Sequence, residues 1–412
     1  MDKAVLKNTR FIAFSEGVSM LPAIHPGDGL YIRPIRFDLF KINDLIVFEE
    51  KDKLITHRAI YKTSKYVITK GDNNPVNDGK IYKNKIIGKV DKIKRQGKVF
   101  DLKHLYLIQS TTYFKEIIKL TSSLEKEKIQ YVFLKGLPIH LYYQGVSPQR
   151  IYFDCDLMID RSNFKKIQNL FTKFGYMEVS TSFNKKEYLP HDQKLEVSFS
   201  KTINGLPVIF DIHFKPVFLM TQINSLGALY SDKLVNKMGE IFLKTRVHKK
   251  INQFKLPLLD NNYQIFYLAL HIFHHNYKGS FRYELLSQII KKMNLKKEDW
   301  VKITGIINEY QAANFVSPCF KLLKKYFGIK VPDVFFETLN ITNTTLTEKY
   351  GKTDIFSDES RLEGGVNRFL SIFKLSPYPF YKKILVFMQP SVQYFIFLSL
   401  KAKLSSFLAS FR

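Results

Sequence analysis

From Gly29 to Phe100 apolar and polar residues alternate in short runs: GLYIRPI, DLIVFEE, LITHRAIYKT, KYVITKG and KIIGKVDKIKRQGKVF. A period of two predicts half-buried strands, and the Gly-Asp, Asn-Asp, Lys-Asp and Asn-Asp-Gly pairs between the runs predict turns. Residues 1–102 therefore read as a small all-β domain. The texture then changes. From Tyr106 to Lys128 apolar residues recur at steps of three and four, which predicts a helix. YVFLKG, RIYFDCDLMID and KLEVSFSKTINGLPVIFDIHF read as strands, the last as two strands around Asn204-Gly205, a hairpin signal. LPIHLYYQG and NFKKIQNLFTKFGY read as helices between them, and from about Ser225 most of the chain is helical in period. The expectation is a multidomain chain: the β domain, an α/β (α+β) domain over residues 103–300, and a helical extension over 301–412.

Composition adds a charge imbalance to this picture. The 412 residues carry a net charge of +27 with 45% hydrophobic and 25% charged residues, a globular balance with a bias toward anionic partners. Nucleic acid, nucleotides and acidic lipid all fit that bias, and a Lys-rich surface that merely reflects composition fits it equally. The two cysteines, Cys155 and Cys319, form no disulfide framework or zinc spacing, consistent with a reducing compartment. The stretch Ile384–Leu400 is strongly apolar but broken by Gln389, Pro390 and Gln393, short of the ~20 clean apolar residues of a spanning helix. A packed helical hairpin is the first expectation there, and a membrane-surface helix with Lys401, Lys403 and Arg412 on its polar side is the second.

The first candidate chemistry is Ser19, in GVSMLPAIHPGD, with His57 in THRAI and Asp72 and Asp78 in KGDNNPVND. A serine hydroxyl becomes a nucleophile when a base takes its proton, and the base needs a partner to orient it. By residue type alone the structural reading is favoured: Ser19 capping a turn, His57 half buried, and Asp72 and Asp78 as Asx-turn residues. The three boxes resemble, in order and spacing, those of the signal peptidase I family, related to the self-cleaving repressor peptidases. They are similar to the archaeal and endoplasmic-reticulum branch, which has His where the bacterial branch has Lys. The resemblance covers roughly residues 10–95. It implies Ser19 as nucleophile, His57 as general base, Asp72 or Asp78 as the group orienting His57, a peptide or protein substrate, and no cofactor. Two departures stand out: Gly17 replaces a serine that family members often use as an oxyanion donor, and the 18 residues before Ser19 form no spanning helix.

The second candidate is Asp154 and Asp156, two apart on a predicted strand and so on one face of it, with Cys155 on the other. Paired carboxylates on one face repel unless a cation holds them, which is how two-metal phosphoryl-transfer sites are built. Asp211, in the apolar run PVIFDIHF, is the expected third ligand. FLKGLPIHLYY, RIYFDCDLMID, KFGY and VIFDIHFKPVF resemble an uncharacterised nucleotidyltransferase family of the polymerase-β superfamily, over about residues 105–300. The resemblance implies Asp154, Asp156 and Asp211 as ligands of Mg²⁺ or Mn²⁺, an NTP substrate, and Lys135 and Gly136 in the turn that approaches the phosphates. It implies Arg150 as a phosphate or structural partner and His213 as a group behind the metal ligands. Better-known members have Gly-Ser where this chain has Lys135-Gly136. His271, His274 and His275 read as core or substrate-pocket residues, because no zincin glutamate accompanies their spacing.

Three functions follow. The first is a bifunctional fusion of a Ser-His-Asp endopeptidase of signal peptidase type and a Mg²⁺-dependent transferase moving NMP from an NTP to an acceptor, as in precursor-peptide maturation. The second is an active transferase with a non-catalytic peptide-binding β module. The third is a non-catalytic basic protein that binds nucleic acid. The intact Ser19, His57 and Asp72 set favours the first over the second, and the paired carboxylates disfavour the third. A nucleotide-consuming partner domain implies a cytoplasmic location, with contact at a membrane surface as the further expectation.

Overall fold

The computed structural model describes residues 10–145, 148, 151–152, 154–179, 194–203, 206–216, 226–357, 359 and 361–409. The N-terminal region is β-rich. Its strands are β1 (Phe11–Phe14), β2 (Gly29–Arg33), β3 (Leu45–Glu50), β4 (Lys53–Lys62), β5 (Tyr66–Lys70), β6 (Lys80–Tyr82), β7 (Ile86–Arg95) and β8 (Lys98–Asp101). They form one sheet in the order β1-β2-β7-β3-β4-β5-β6, with β8 on β7. The single run KIIGKVDKIKRQGKVF folds as two antiparallel strands because Gln96 (φ 49°) and Gly97 (φ 78°) both turn left-handed, the geometry of a tight hairpin turn. The short strands β1 and β6 lie below the length at which alternation is legible.

Helix α1 (Leu102–Lys126) starts at Asp101, whose carboxylate accepts from the Lys103 N–H at 2.8 Å. Its length ties two cores together. Leu102 and Tyr106 pack with Met20, Leu30 and Val90 of the first sheet, while Tyr113, Ile117, Leu120 and Leu124 join the large second core.

The second sheet is mixed and built from β9 (Tyr131–Lys135), β10 (Asp154–Ile159), β11 (Met177–Val179), β12 (Glu196–Ile203), β13 (Leu206–His213), β14 (Val247–Ile251) and β15 (Phe254–Leu258). Its order is β11-β12-β13-β10-β9-β15-β14, with β10 parallel to β13 and β15 parallel to β9. The Asn204-Gly205 signal lies outside the described residues; the flanking strands pair antiparallel with Ile203 opposite Leu206. The hairpin β14–β15 adds two short strands to a stretch that is otherwise mostly helical after Ser225, as expected. Each strand has five residues, and Asn252, at φ 54°, makes the reversal without a glycine.

One face of this sheet is apolar. Phe171 of α3 (Phe164–Lys173) stacks on Phe199 with centroids 4.4 Å apart, and Tyr113 of α1 lies 5.8 Å from Phe210. The other face carries the polar site and is closed by α5 (Asn261–His274), which follows α2 (Leu137–Gln144) and α4 (Asp232–Lys244) in the chain. Helices α6 (Ser280–Met293), α7 (Lys297–Glu309), α8 (Ala313–Phe327) and their successors make the C-terminal region helical.

Phe171 is fully buried between Phe199, Phe210 and Tyr176. Phe171→Ala leaves a cavity behind the site and is expected to cost about 3–5 kcal/mol, read as a lowered midpoint in urea unfolding.

Candidate functional site

Two polar constellations stand on the two sheets. In the first, β4 sets His57 opposite Ile46 of β3. The ring is buried. Its Nδ1 lies 2.7 Å from Asp78 Oδ2 and its Nε2 2.9 Å from Ser19 Oγ. A carboxylate only accepts, so Nδ1 carries the proton and Nε2 is left to accept from the Ser19 hydroxyl. Asp78 is itself held by Thr69, whose hydroxyl donates to Oδ2 at 2.7 Å, and by its own N–H donating to the Thr69 carbonyl.

Asp72, the alternative partner for His57 in the sequence, is placed elsewhere. It accepts two hydrogen bonds from Arg58, at 2.7 and 2.6 Å. Successive residues of a strand point to opposite faces, so His57 and Arg58 address different carboxylates. Arg58 also donates to the Asn43 carbonyl at 3.0 Å and to the Tyr106 hydroxyl of α1 at 3.1 Å. The turn after β5 grips the serine segment: the Asn73 N–H donates to the Ser19 carbonyl at 2.8 Å. Gly71 sits so close that a Cβ there would fall 2.7 Å from that carbonyl oxygen. Among the described residues nothing lies within 4 Å of the position a Cβ on Gly17 would take.

The second constellation is a row across four strands. Register places Lys135 (β9) opposite Asp156 (β10), Asp156 beside Asp211 (β13), and Asp211 opposite Ser198 (β12). Asp154, two residues before Asp156, joins the same face. One carboxylate oxygen from each of the three acids lies within 4.8 Å of the others. Among the described residues this is the grouping of His, Cys, Asp and Glu that could hold a metal ion. His271, His274 and His275 instead pack ring to ring on α5 and just beyond it, with His271 and His275 centroids 4.8 Å apart. Burial, then the cation Lys135 for the first and Arg282 for the second, holds His271 and His275 well below the usual imidazole range.

The electrostatics of the row are uneven. Lys135 Nζ lies 2.7 Å from Asp156 Oδ1 and 3.7 Å from Asp154 Oδ2. His213 Nε2 lies 2.8 Å from the same Asp156 oxygen. Burial works against ionisation of Asp156, but the Lys135 charge and the His213 hydrogen bond outweigh it and hold the carboxyl below its usual range. Burial opposes the charge on His213 too, yet Glu196 and Asp156 raise its pKa. Among the described residues no cation pairs directly with Asp211. Burial, then the charges of Asp156 and Glu196, push it up to about 7, against the hydrogen bond it accepts from Ser198 at 2.6 Å.

These residues fit a divalent cation. Asp156 Oδ2 is buried and has no hydrogen-bond partner among the described residues, which leaves one ligand atom available to coordinate. Gly136 is required by the approach of β10: at φ 94° a Cβ there would lie 2.9 Å from the Asp154 carbonyl oxygen. It also precedes the first turn of α2. Lys135, the last residue of β9 and next to Gly136, stands on the carboxylates. Arg150 lies outside the described residues. The sequence reading passed over Ser198, Glu196, Thr69 and Tyr106. Glu196 and Ser198 share a period-two face in EVSFS, the signal that would have flagged them.

A family model described as uncharacterised nucleotidyltransferase matches residues 104–328, more than half of the chain. The signal peptidase complex catalytic subunit SEC11C of Homo sapiens is 40% identical over 72 residues, covering 16% of this chain and 38% of that protein. The Mus musculus subunit matches to the same extent. The chain thus spans well under half the length of these curated relatives. A crystal structure of an antigenic nucleotidyltransferase-like protein from Paracoccidioides brasiliensis aligns with 54% of this chain and 92% of that one, at 14% identity and a TM-score of 0.28. That overlap is too loose to inform the site.

Replacing Asp211 by Asn keeps an acceptor for Ser198 and removes the like-charge contact. With a folded pKa of about 7 against ~3.9 unfolded, the ionised carboxylate costs stability fully above pH 7 and not at all below pH 4. Asp211→Asn is therefore expected to raise the melting temperature of the metal-free protein at pH 8, with the gain shrinking to nothing at acid pH, and to weaken Mn²⁺ binding measured by calorimetry. A lower melting temperature at pH 8 would contradict this.

Proposed function

The chain belongs to the uncharacterised nucleotidyltransferase family, and on that footing we propose a bifunctional enzyme. Its second sheet carries a metal-dependent transferase that moves a nucleoside monophosphate from an NTP to an acceptor. Its N-terminal region carries a Ser-His-Asp endopeptidase of signal peptidase type. The observation that carries the first part is the row Lys135–Asp156–Asp211 with the orphaned Asp156 oxygen. The observation that carries the second is the continuous relay Ser19–His57–Asp78.

In the transferase, Asp154, Asp156 and Asp211 would hold Mg²⁺ or Mn²⁺, which when bound neutralises triphosphate charge and orients the group in transfer. Lys135 brings a second cation to the same carboxylates, where it can meet phosphate oxygens. His213 fixes Asp156 from behind, and Glu196 stands 3.5 Å from the other nitrogen of that ring. Gly136 lets backbone replace side chain beside the acids, which leaves room for a phosphate.

In the peptidase, His57 takes the proton of Ser19 as the hydroxyl attacks a peptide carbonyl, and returns it to the leaving amine. Asp78 fixes the tautomer and stabilises the imidazolium formed in between. Arg58 and Asp72 hold the serine-bearing turn and tie it to α1 through Tyr106, a positioning role. Gly17 offers no hydroxyl to the oxyanion, so backbone N–H groups supply that stabilisation. Because nucleotides are cytoplasmic, we place both activities there. The peptidase then acts on a particular precursor peptide, and the transferase on the same precursor or its product.

Asp154→Asn is expected to lower Mg²⁺-dependent NTP turnover by several orders of magnitude, followed as pyrophosphate release, while peptide cleavage continues. Turnover at the wild-type rate would sink the metal assignment. Ser19→Ala and His57→Ala should each abolish peptide cleavage, and Asp78→Asn should reduce it about 10⁴-fold. Asp72→Asn should act mainly on stability. A larger loss of cleavage rate with Asp72→Asn than with Asp78→Asn would reverse the assignment, and loss of NTP turnover in Ser19→Ala would show that the sites are not separate.

A further inference from the structure

The last part of the chain is unlike the rest in two respects. From Gly364 to Arg412 there are seven Lys and Arg and no Asp or Glu. The same stretch displays a concentration of exposed large apolar side chains. After α9 (Asp333–Glu337), α10 (Thr344–Tyr350) and α11 (Arg361–Leu375), the chain forms α12 (Phe380–Ile384), a tight turn of helix at Leu385–Met388, and α13 (Pro390–Ala409). Phe380 is 67% exposed, Tyr381 75% and Met388 72%, and Ile384, Leu385, Phe397 and Leu400 are exposed beside them.

This exposure does not come from loose chain. The underside of the segment is pinned: Val386 and Val392 are fully buried, and the Phe387 ring lies 5.6 Å from Phe373 and 5.9 Å from Phe369. Lys382 lies 3.6 Å over the Tyr378 ring, which fixes a cation beside the exposed aromatics. Exposed apolar side chains concentrated in one short segment in this way mark a docking surface. No single helix among the described residues is long and apolar enough to cross a membrane, and the two arms are bent by 77°. A short, bent, aromatic-rich element flanked only by cations suits the interface between headgroups and acyl chains.

We propose that this face, from Phe380 to Lys401, docks the protein on an anionic lipid surface. The side chains of Phe380, Tyr381, Leu385 and Met388 enter the headgroup region, and Lys382, Lys383 and Lys401 meet lipid phosphates and carboxylates. Two other occupants fit less well. A second copy would bring cation against cation with no acid from this stretch to compensate. Nucleic acid would satisfy the lysines and leave the apolar tips in water. The proposal is independent of either catalytic assignment.

The test is co-sedimentation of the full chain with vesicles of phosphatidylcholine alone, or with about 30% phosphatidylserine, with melting temperature as the folding control. Strong binding to the anionic vesicles, weak binding to the neutral ones, and weakening by salt are expected. Lys382→Ala with Lys383→Ala should lower the partition coefficient about 25-fold, from about fivefold per lysine. Phe380→Ser with Met388→Ser should lower binding at low salt too, since it removes the apolar insertion; Phe380 and Met388 are exposed, so this pair should melt as the parent does, and the melting temperature checks the half-buried lysine pair. The proposal is overturned by equal binding to both vesicle types, by binding that neither pair alters, by membrane-bound protein that resists alkaline extraction as a spanning segment does, or by light scattering that shows a stable dimer lost in Phe380→Ser/Met388→Ser.

Discussion

Two carboxylates, Asp156 and Asp211, stand directly beside each other on adjacent parallel strands in a buried setting. Like charges so placed cannot both ionise freely at low local dielectric. The surroundings divide the cost unequally. Asp156 receives the Lys135 ammonium and the His213 N–H on one oxygen and stays ionised. Asp211 receives a neutral hydroxyl and is pushed toward protonation. That asymmetry sets the demand for a cation, and the fold around it follows. β9 must bring Lys135 opposite Asp156, β12 must bring Ser198 opposite Asp211, and α5 must close the face with Tyr267 and Gln264 while leaving the acids reachable at Asp154.

The apolar back of the same strands makes that arrangement affordable in free energy. Cys155, Leu157, Phe210 and Ile212 alternate with the acids and are fully buried against α1 and α3. Period two therefore gives each strand a core face and a chemical face from one short segment. The serine constellation rests on the same device. His57 and Arg58 are neighbours on β4, and each is satisfied on its own side of the strand. Arg58, through Tyr106, also anchors the first sheet to the helix that begins the second core. Asn77 donates to Ser357 at 2.6 Å, and Tyr61 packs 4.7 Å from Phe356, so the loop holding Asp78 leans on the helical region. The two constellations are joined by packed contacts and not by a free linker.

Much of this was legible in the sequence because alternation is a local property. The runs from Gly29 to Phe100, the Asp154-Cys155-Asp156 face and the strand bearing Asp211 needed no long-range knowledge. What stayed hidden had short or non-local causes. The β14–β15 hairpin has strands too short to interrupt a helical reading. Glu196 and Ser198 look like ordinary strand polars until β12 is set beside β13. Lys135, read from its turn as a group that approaches the phosphates, also sits on the acids, because an antiparallel register sets it opposite Asp156.

The sequence by itself determined which residue types could do chemistry and on which face of their own strand they stand, since side-chain direction in a strand follows from backbone geometry alone. It offered His57 two aspartates, Asp72 and Asp78, in one turn-rich segment and could not choose between them. Only the tertiary structure decided that Asp78 meets the imidazole while Asp72 meets the guanidinium. The reason is physical: a hydrogen bond needs atoms within about 3 Å, and which carboxylate comes that close depends on the path of the loop after β5 around the Ser19 segment, fixed by contacts far apart in the chain.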